Sequence, residues 1–184
     1  MKKSFGFGIG AIAILLILLR LYAGWAAEFS SPEYTPNVRD TLWTLGLRSL
    51  ESRDIPVSAV VLYGDSIIGF GWNTVLRDTN AGGHAEINAI SDALRRVGRA
   101  RFMKLDRDSL SLISTFEPCA MCRGAILGYN IRNVLYFKPK PATLLMKEDL
   151  RMVRYLWERR KTDGDTLQDS LFVRHPDYDK KNER

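Results

Sequence analysis

Apolar and polar positions divide the chain into an apolar leader, a region of alternating short periodicities and a charged end. Residues 5–19 are an unbroken run of apolar residues and glycines, which resumes after Arg20 as far as 27. As one helix, its 23 residues would extend about 34 Å, enough to cross a hydrocarbon core of about 30 Å. Lys2 and Lys3 precede the run, and Tyr22 and Trp25 sit near its end, as interface aromatics do. The expectation is a membrane anchor over 1–27. A cleaved signal accounts for Arg20 poorly, and a helix apolar all round belongs in a membrane or a large core. The lysines before the run then predict a single N-terminal span with the domain outside the cytoplasm, secreted or periplasmic should the leader be cleaved. Residues 28–36, with Pro32 and Pro36, read as a linker, and 177–184 as a charged tail.

Between them, 37–176 alternates helix-like and strand-like periods. Asn37 is placed to cap a helix running to about Ser52, with Leu42, Leu45 and Leu50 among its apolar residues. Residues 57–63 and 67–72 read as a hairpin about Gly64-Asp65, followed by a polar loop over 75–83. Ile87, Ile90 and Leu94 predict a helix over 85–97, stopped by Gly98. A buried strand at 111–116, a short helix at 120–129 and a strand at 133–137 follow, and Pro139 and Pro141 end the last. Met146, Leu150, Val153 and Trp157 then mark a further helix, and 171–173 a last short strand. The order predicts an α/β domain with helices covering a central sheet.

Composition narrows this picture. The 184 residues contain 27 Lys+Arg and 21 Asp+Glu, a net charge of +6, and an apolar fraction of 46%, which is globular usage. Lys2, Lys3 and Arg20 account for half of the surplus, leaving 24 basic against 21 acidic residues beyond the leader. That balance does not favour nucleic acid as a partner. Arg95, Arg96, Arg99, Arg101, Lys104 and Arg107 do cluster, and the cluster reads either as a solvated helix end or as a site for substrate phosphate or an RNA backbone. Two cysteines, Cys119 and Cys122, exclude a multi-disulfide scaffold.

The chemistry lies in two fragments, each at the start of a predicted helix. They are His84-Ala85-Glu86 and Pro118-Cys119-Ala120-Met121-Cys122. Cysteines three apart at a first turn point the same way, and the unpaired N–H groups there favour thiolate. Two thiolates and one imidazole supply three of zinc's four positions. Water at the open fourth position becomes hydroxide near neutral pH, and Glu86 is placed to shuttle protons rather than to ligate. Alone, the cysteine pair also fits a redox dithiol or a disulfide.

Residues 40–160 resemble the cytidine and deoxycytidylate deaminase superfamily, in its histidine-ligand branch. The stretches 71–73, 84–90 and 116–126 are similar to tRNA adenosine deaminases and guanine deaminases. The resemblance implies a three-layer α-β-α cytidine deaminase-like fold with a central five-stranded mixed sheet, preceded here by the apolar N-terminal helix. It implies Zn2+ held by His84, Cys119 and Cys122, zinc-bound hydroxide as nucleophile, and Glu86 carrying a proton to the ring nitrogen and the leaving ammonia. It also implies substrate contacts from Asn73 and from the backbone N–H of Ala85, and self-association as a homodimer. The substrate implied is a nucleobase, nucleoside or nucleotide, with tRNA adenosine as the alternative. Residues 77–83 depart from the Pro-Thr-like approach to the histidine that many relatives carry, at a loop that borders the pocket. Two other classes remain at this level: a non-catalytic zinc-binding module of the same fold, and a thiol–disulfide protein using Cys119 and Cys122.

Overall fold

The computed structural model describes residues 16–20, 36–159 and 165–174. The elements run α1 (Pro36–Glu51), β1 (Ser58–Tyr63), β2 (Ser66–Trp72), α2 (Ala85–Val97), α3 (Arg99–Phe102), β3 (Leu110–Phe116), α4 (Ala120–Gly128), β4 (Asn133–Lys138), α5 (Ala142–Glu158) and α6 (Asp165–Arg174). The sheet has the order β2-β1-β3-β4, antiparallel except between β3 and β4.

Strand alternation builds two cores from one sheet. Val60, Leu62 and Ile113 face α1 and pack on Val38, Leu42 and Leu45. Ala59, Val61, Leu110 and Leu112 face the other way, against Ala89, Ile90 and Ala93 of α2 and Ile126 of α4. The layers are therefore helix, sheet, helix.

Small residues set how closely α2 lies on the sheet. Ala85, Ala89 and Ala93 recur every four residues and run along Gly69 and Gly71 of β2. A Cβ added at Gly69 would lie 2.5 Å from the Ala93 nitrogen, and one at Gly71 2.5 Å from the Ala85 carbonyl oxygen. No side chain fits between strand and helix there. The end of α4 is fixed differently. Asn130 takes φ 51°, and Asn130 N–H and Ile131 N–H donate back to Leu127 and Ile126 at 3.0 Å each. This closes the helix and turns Ile131 into the core, where it is 3% exposed.

Two expectations are corrected. The sheet has four strands among the described residues, not five, because 171–173 belongs to α6. Three apolar residues carry no period of their own, whereas Leu167 and Leu171, four apart, keep helical spacing. The membrane-anchored reading falls as well. Among the described residues no helix is long and apolar enough to cross a membrane. The transmembrane span over 5–27, the membrane as a partner and the extracytoplasmic placement derived from them go with it. Within that segment 16–20 is helical, and Arg20 pairs with Asp149 of α5 at 2.9 Å instead of reaching toward headgroups. The rest of 1–27, the linker at 28–36 apart from Pro36, and the tail at 177–184 lie outside the described residues. The stripe Met146, Leu150, Val153 and Trp157 does form a helix, α5, but all four side chains are exposed.

Candidate metal centre and active site

The ends of β2 and β3 meet at one side of the sheet, because β1 pairs Ser58 with Trp72 and Ala59 with Ser114. Both ligand-bearing helices begin there. The loop after β2 is closed by Thr74 N–H donating to Gly83 at 2.8 Å, and His84 then occupies the N-cap of α2. Asn88, one turn into α2, donates through Nδ2 to the Trp72 carbonyl at 2.8 Å and to Thr74 Oγ1 at 3.1 Å. Buried Asp54 accepts the Leu76 N–H at 2.7 Å and the Arg77 N–H at 3.2 Å. The approach to His84 is thus fastened from two sides. After β3, Glu117 N–H donates to Lys138 at 2.9 Å, and Cys119 occupies the N-cap of α4.

The three donor atoms form a compact triangle. His84 Nδ1 lies 3.6 Å from Cys119 Sγ and 3.5 Å from Cys122 Sγ, and the sulfurs are 3.5 Å apart. Tetrahedral zinc, with bonds of about 2.3 Å to sulfur and 2.0–2.1 Å to nitrogen, requires edges of about 3.8 Å and 3.6 Å. The triangle fits within a few tenths of an ångström. Both cysteines are free thiols, so the disulfide reading is set aside. Cys122 is fully buried, while His84 and Cys119 are partly exposed. Two soft sulfurs and an imidazole form a donor set that suits zinc. His84, Cys119 and Cys122 are a metal-binding cluster with the character of a zinc site.

The electrostatics of the cluster follow from its contacts. A hydrogen bond from Cys122, then the approach of His84, holds the Cys119 thiol down at about 3. The same bond to Cys119, with burial and the Glu86 charge, pushes Cys122 up. His84 is raised above 6.5, first by its hydrogen bond with Cys119, and Glu86 is raised above 4.5 by burial. Glu86 is 4% exposed, with Oε2 3.4 Å from Cys122 Sγ and Oε1 3.4 Å from Ser114 Oγ. A buried carboxylate thus stands beside the ligands without belonging to the triangle.

The other expected residues lie at the same end of the sheet. Asn73 directly follows β2 and is buried. Its Nδ2 donates to the Ile55 carbonyl at 3.2 Å, and its Oδ1 has no partner. Ala85 is buried in the first turn of α2, among N–H groups that lack intrahelical acceptors. The basic cluster is elsewhere. Arg95 and Arg96 end α2, about 17 Å along the helix from His84, and both pair with Asp92. The Arg107 guanidinium donates to the carbonyls of Leu105, Tyr129 and Phe102, a structural role.

Asp54, Asn88 and Ser114 escaped the sequence reading. Asn88 alone carried a signal, as a polar residue on the inner side of α2 one turn after His84; Asp54 and Ser114 act across elements.

Comparison with known proteins agrees with this geometry. The family model described as the cytidine and deoxycytidylate deaminase zinc-binding region matches residues 41–138. The tRNA-specific adenosine deaminase of Buchnera aphidicola is 33% identical over 86 residues, covering 47% of this chain and 54% of that protein. The tRNA(Ile)-lysidine synthase of Deinococcus radiodurans is 34% identical over 116 residues, 61% of this chain but 19% of that protein. The chain therefore spans about half, or less, of the length of the curated relatives it matches. Guanine deaminase from Bacillus subtilis shares the fold, with a TM-score of 0.57 at 22% identity over 77% of this chain and 94% of that one. A structure from work on tRNA:A34 deaminases superposes with a TM-score of 0.50 at 25% identity, over 57% of this chain and 77% of that one. With the matched region covering more than half its length and containing all three ligands and Glu86, the chain belongs to the family of the cytidine and deoxycytidylate deaminase zinc-binding region.

Proposed function

We propose that the chain is a hydrolytic deaminase that releases ammonia from a nucleobase, nucleoside or nucleotide. The observation that carries this reading is the buried Glu86 carboxylate beside the ligand triangle. A module that only held metal would have no use for a desolvated acid there.

Zinc held by His84, Cys119 and Cys122 supplies Lewis acidity that makes water a nucleophile near neutral pH. Glu86 does the proton work. Its carboxylate accepts a proton from water as the oxygen adds to the amino-bearing carbon. It returns that proton to the ring nitrogen, then carries the remaining proton of the added hydroxyl to the amino group, which leaves as ammonia as the C–N bond breaks and the C=O bond forms. Water is the sole co-reactant. Burial raises the Glu86 carboxyl above its ordinary value, which makes the carboxylate a stronger proton acceptor. Ser114 Oγ, at 3.4 Å from Oε1, steadies the carboxylate. Asn73 Oδ1 is an acceptor held in place by the Nδ2 bond to Ile55, suited to an N–H or O–H of the substrate. The first-turn N–H of Ala85 is a donor for the base.

A second reading, deamination of adenosine in tRNA, is favoured by the tRNA-specific adenosine deaminases of Buchnera aphidicola and Streptococcus pyogenes among the relatives, the latter 36% identical over 89 residues. The test is ammonia release by the zinc-loaded full chain from bases, nucleosides, nucleotides and a tRNA anticodon stem-loop. Release from one class, lost about 10²- to 10⁴-fold in Glu86→Gln with zinc retained, is the expected result. Zinc retained with no release from any substrate would favour the binding module.

A further inference from the structure

The helix that carries both sulfur ligands has an unusual cap. Its N-cap is Cys119, whose side chain makes no capping hydrogen bond and lies in the ligand triangle. An N-cap ordinarily supplies an oxygen to one of the orphan N–H groups of the first turn. Here a distant element supplies it. Glu148, on α5, accepts the Ala120 N–H through Oε2 at 3.0 Å. Its other oxygen takes the Lys140 ammonium at 2.7 Å, and these two side chains are 14% and 6% exposed. Arg123 of α4 approaches Oε2 at 3.5 Å.

Lys140 is fastened in turn to the segment before the cysteine. Its backbone N–H donates to Glu117 Oε2 at 2.8 Å, and its ammonium lies 5.9 Å from the Phe116 ring centroid. The buried pair therefore braces the ligand segment on both sides of Pro118-Cys119. Lys140 and Glu148 both lie beyond the region matched by the family model, which ends at 138.

We propose that Glu148, held by Lys140, replaces the capping group that Cys119 cannot provide, and so is a positioning residue that sets Cys119 for the metal. Glu148 acts through the Ala120 N–H and touches no reacting atom. The inference rests on the metal cluster and not on the choice of substrate.

The test measures zinc affinity of the full chain by competition with a chelator, together with the cobalt(II) absorption spectrum. Two variants separate positioning from folding. Glu148→Gln keeps an amide oxygen for the Ala120 N–H and is expected to bind zinc close to the wild-type affinity. The double variant Lys140→Met with Glu148→Met replaces the buried pair by apolar side chains, an exchange that proteins often tolerate without loss of stability. It is expected to bind zinc about tenfold to a hundredfold more weakly, the range for partners that orient a ligand, with a shifted cobalt spectrum. Wild-type affinity and spectrum in the double variant would overturn the proposal. A wild-type chain that binds no zinc would instead overturn the metal cluster itself.

Discussion

His84 and Cys119 stand where most helices place Ser, Thr, Asp or Asn. Each directs its donor atom out from a helix start, toward the other. Helix N-termini carry partial positive charge, which favours thiolate over thiol and so helps prepare Cys119 for a cation. Cys122, one turn in and fully buried, completes the triangle. A serine there offers a hydroxyl that stays protonated near neutral pH, so Cys122→Ser is expected to lose zinc on dialysis while keeping its far-ultraviolet dichroism. Retained stoichiometric zinc in that variant would argue against the cluster. Asn73 is expected to behave differently, because its free Oδ1 is a substrate contact in the proposed reaction. Asn73→Ala should keep its zinc and lose about 5- to 150-fold in kcat/KM, the equivalent of one buried hydrogen bond at about 1–3 kcal/mol. Zinc content and steady-state kinetics on the same preparation separate the two effects.

The helices were legible where apolar spacing was regular. The expected helices at 37–52, 85–97 and 120–129 match α1, α2 and α4 to within a residue at each end. The fragments that bear the ligands were legible for the same reason, since each opens one of these helices. Their convergence was not. It depends on Gly69 and Gly71 admitting the alanine stripe of α2, and the sequence shows the small residues without showing that they face one another. The strand expected at 171–173 failed because three apolar residues satisfy either period. Two glycines test the packing account. Gly71→Ala would force α2 off the strand and is expected to cost about 1–3 kcal/mol, a fall of several degrees in thermal midpoint. Gly124, inside α4 with nothing within 4 Å of an added Cβ, is the converse case. Gly124→Ala should stabilise by about 0.5–1 kcal/mol through helix propensity. Equal responses from the two positions would contradict the account.

At the scale of the whole molecule, the site is held by contacts that cross between elements, and no local pattern announces these. Asp54, from the turn after α1, fastens the loop leading to His84, and Glu148, from α5, caps the helix leading from Cys119. Residues 53–55 and 146–150 give no sign of this by spacing or motif. The leader misled for a related reason. Its apolar run satisfies a length criterion for crossing a membrane, yet the described helices do not meet it, and Arg20 finds its partner in Asp149. Asp54 also gives the fold an acid limb. Burial acts to raise its carboxyl, but the N–H groups of Leu76 and Arg77 and the Ser52 hydroxyl outweigh it and hold the group below 3.8. A folded-state value depressed in this way contributes stability that is full above the unfolded value and is lost as pH falls through the folded one. Thermal midpoints measured from pH 6 down to pH 2 should therefore fall below about pH 4, with a shallower fall in Asp54→Asn. Identical acid limbs in the two proteins would remove Asp54 from that role.

The measurement that bears most directly on the ligand triangle is zinc-edge X-ray absorption on the purified full chain, together with metal stoichiometry. One zinc per chain is expected, with two sulfurs at about 2.3 Å, one imidazole nitrogen at about 2.0–2.1 Å, and a fourth light ligand not supplied by a cysteine or histidine. Absence of zinc, a disulfide between Cys119 and Cys122, or a shell lacking either sulfur would contradict the account.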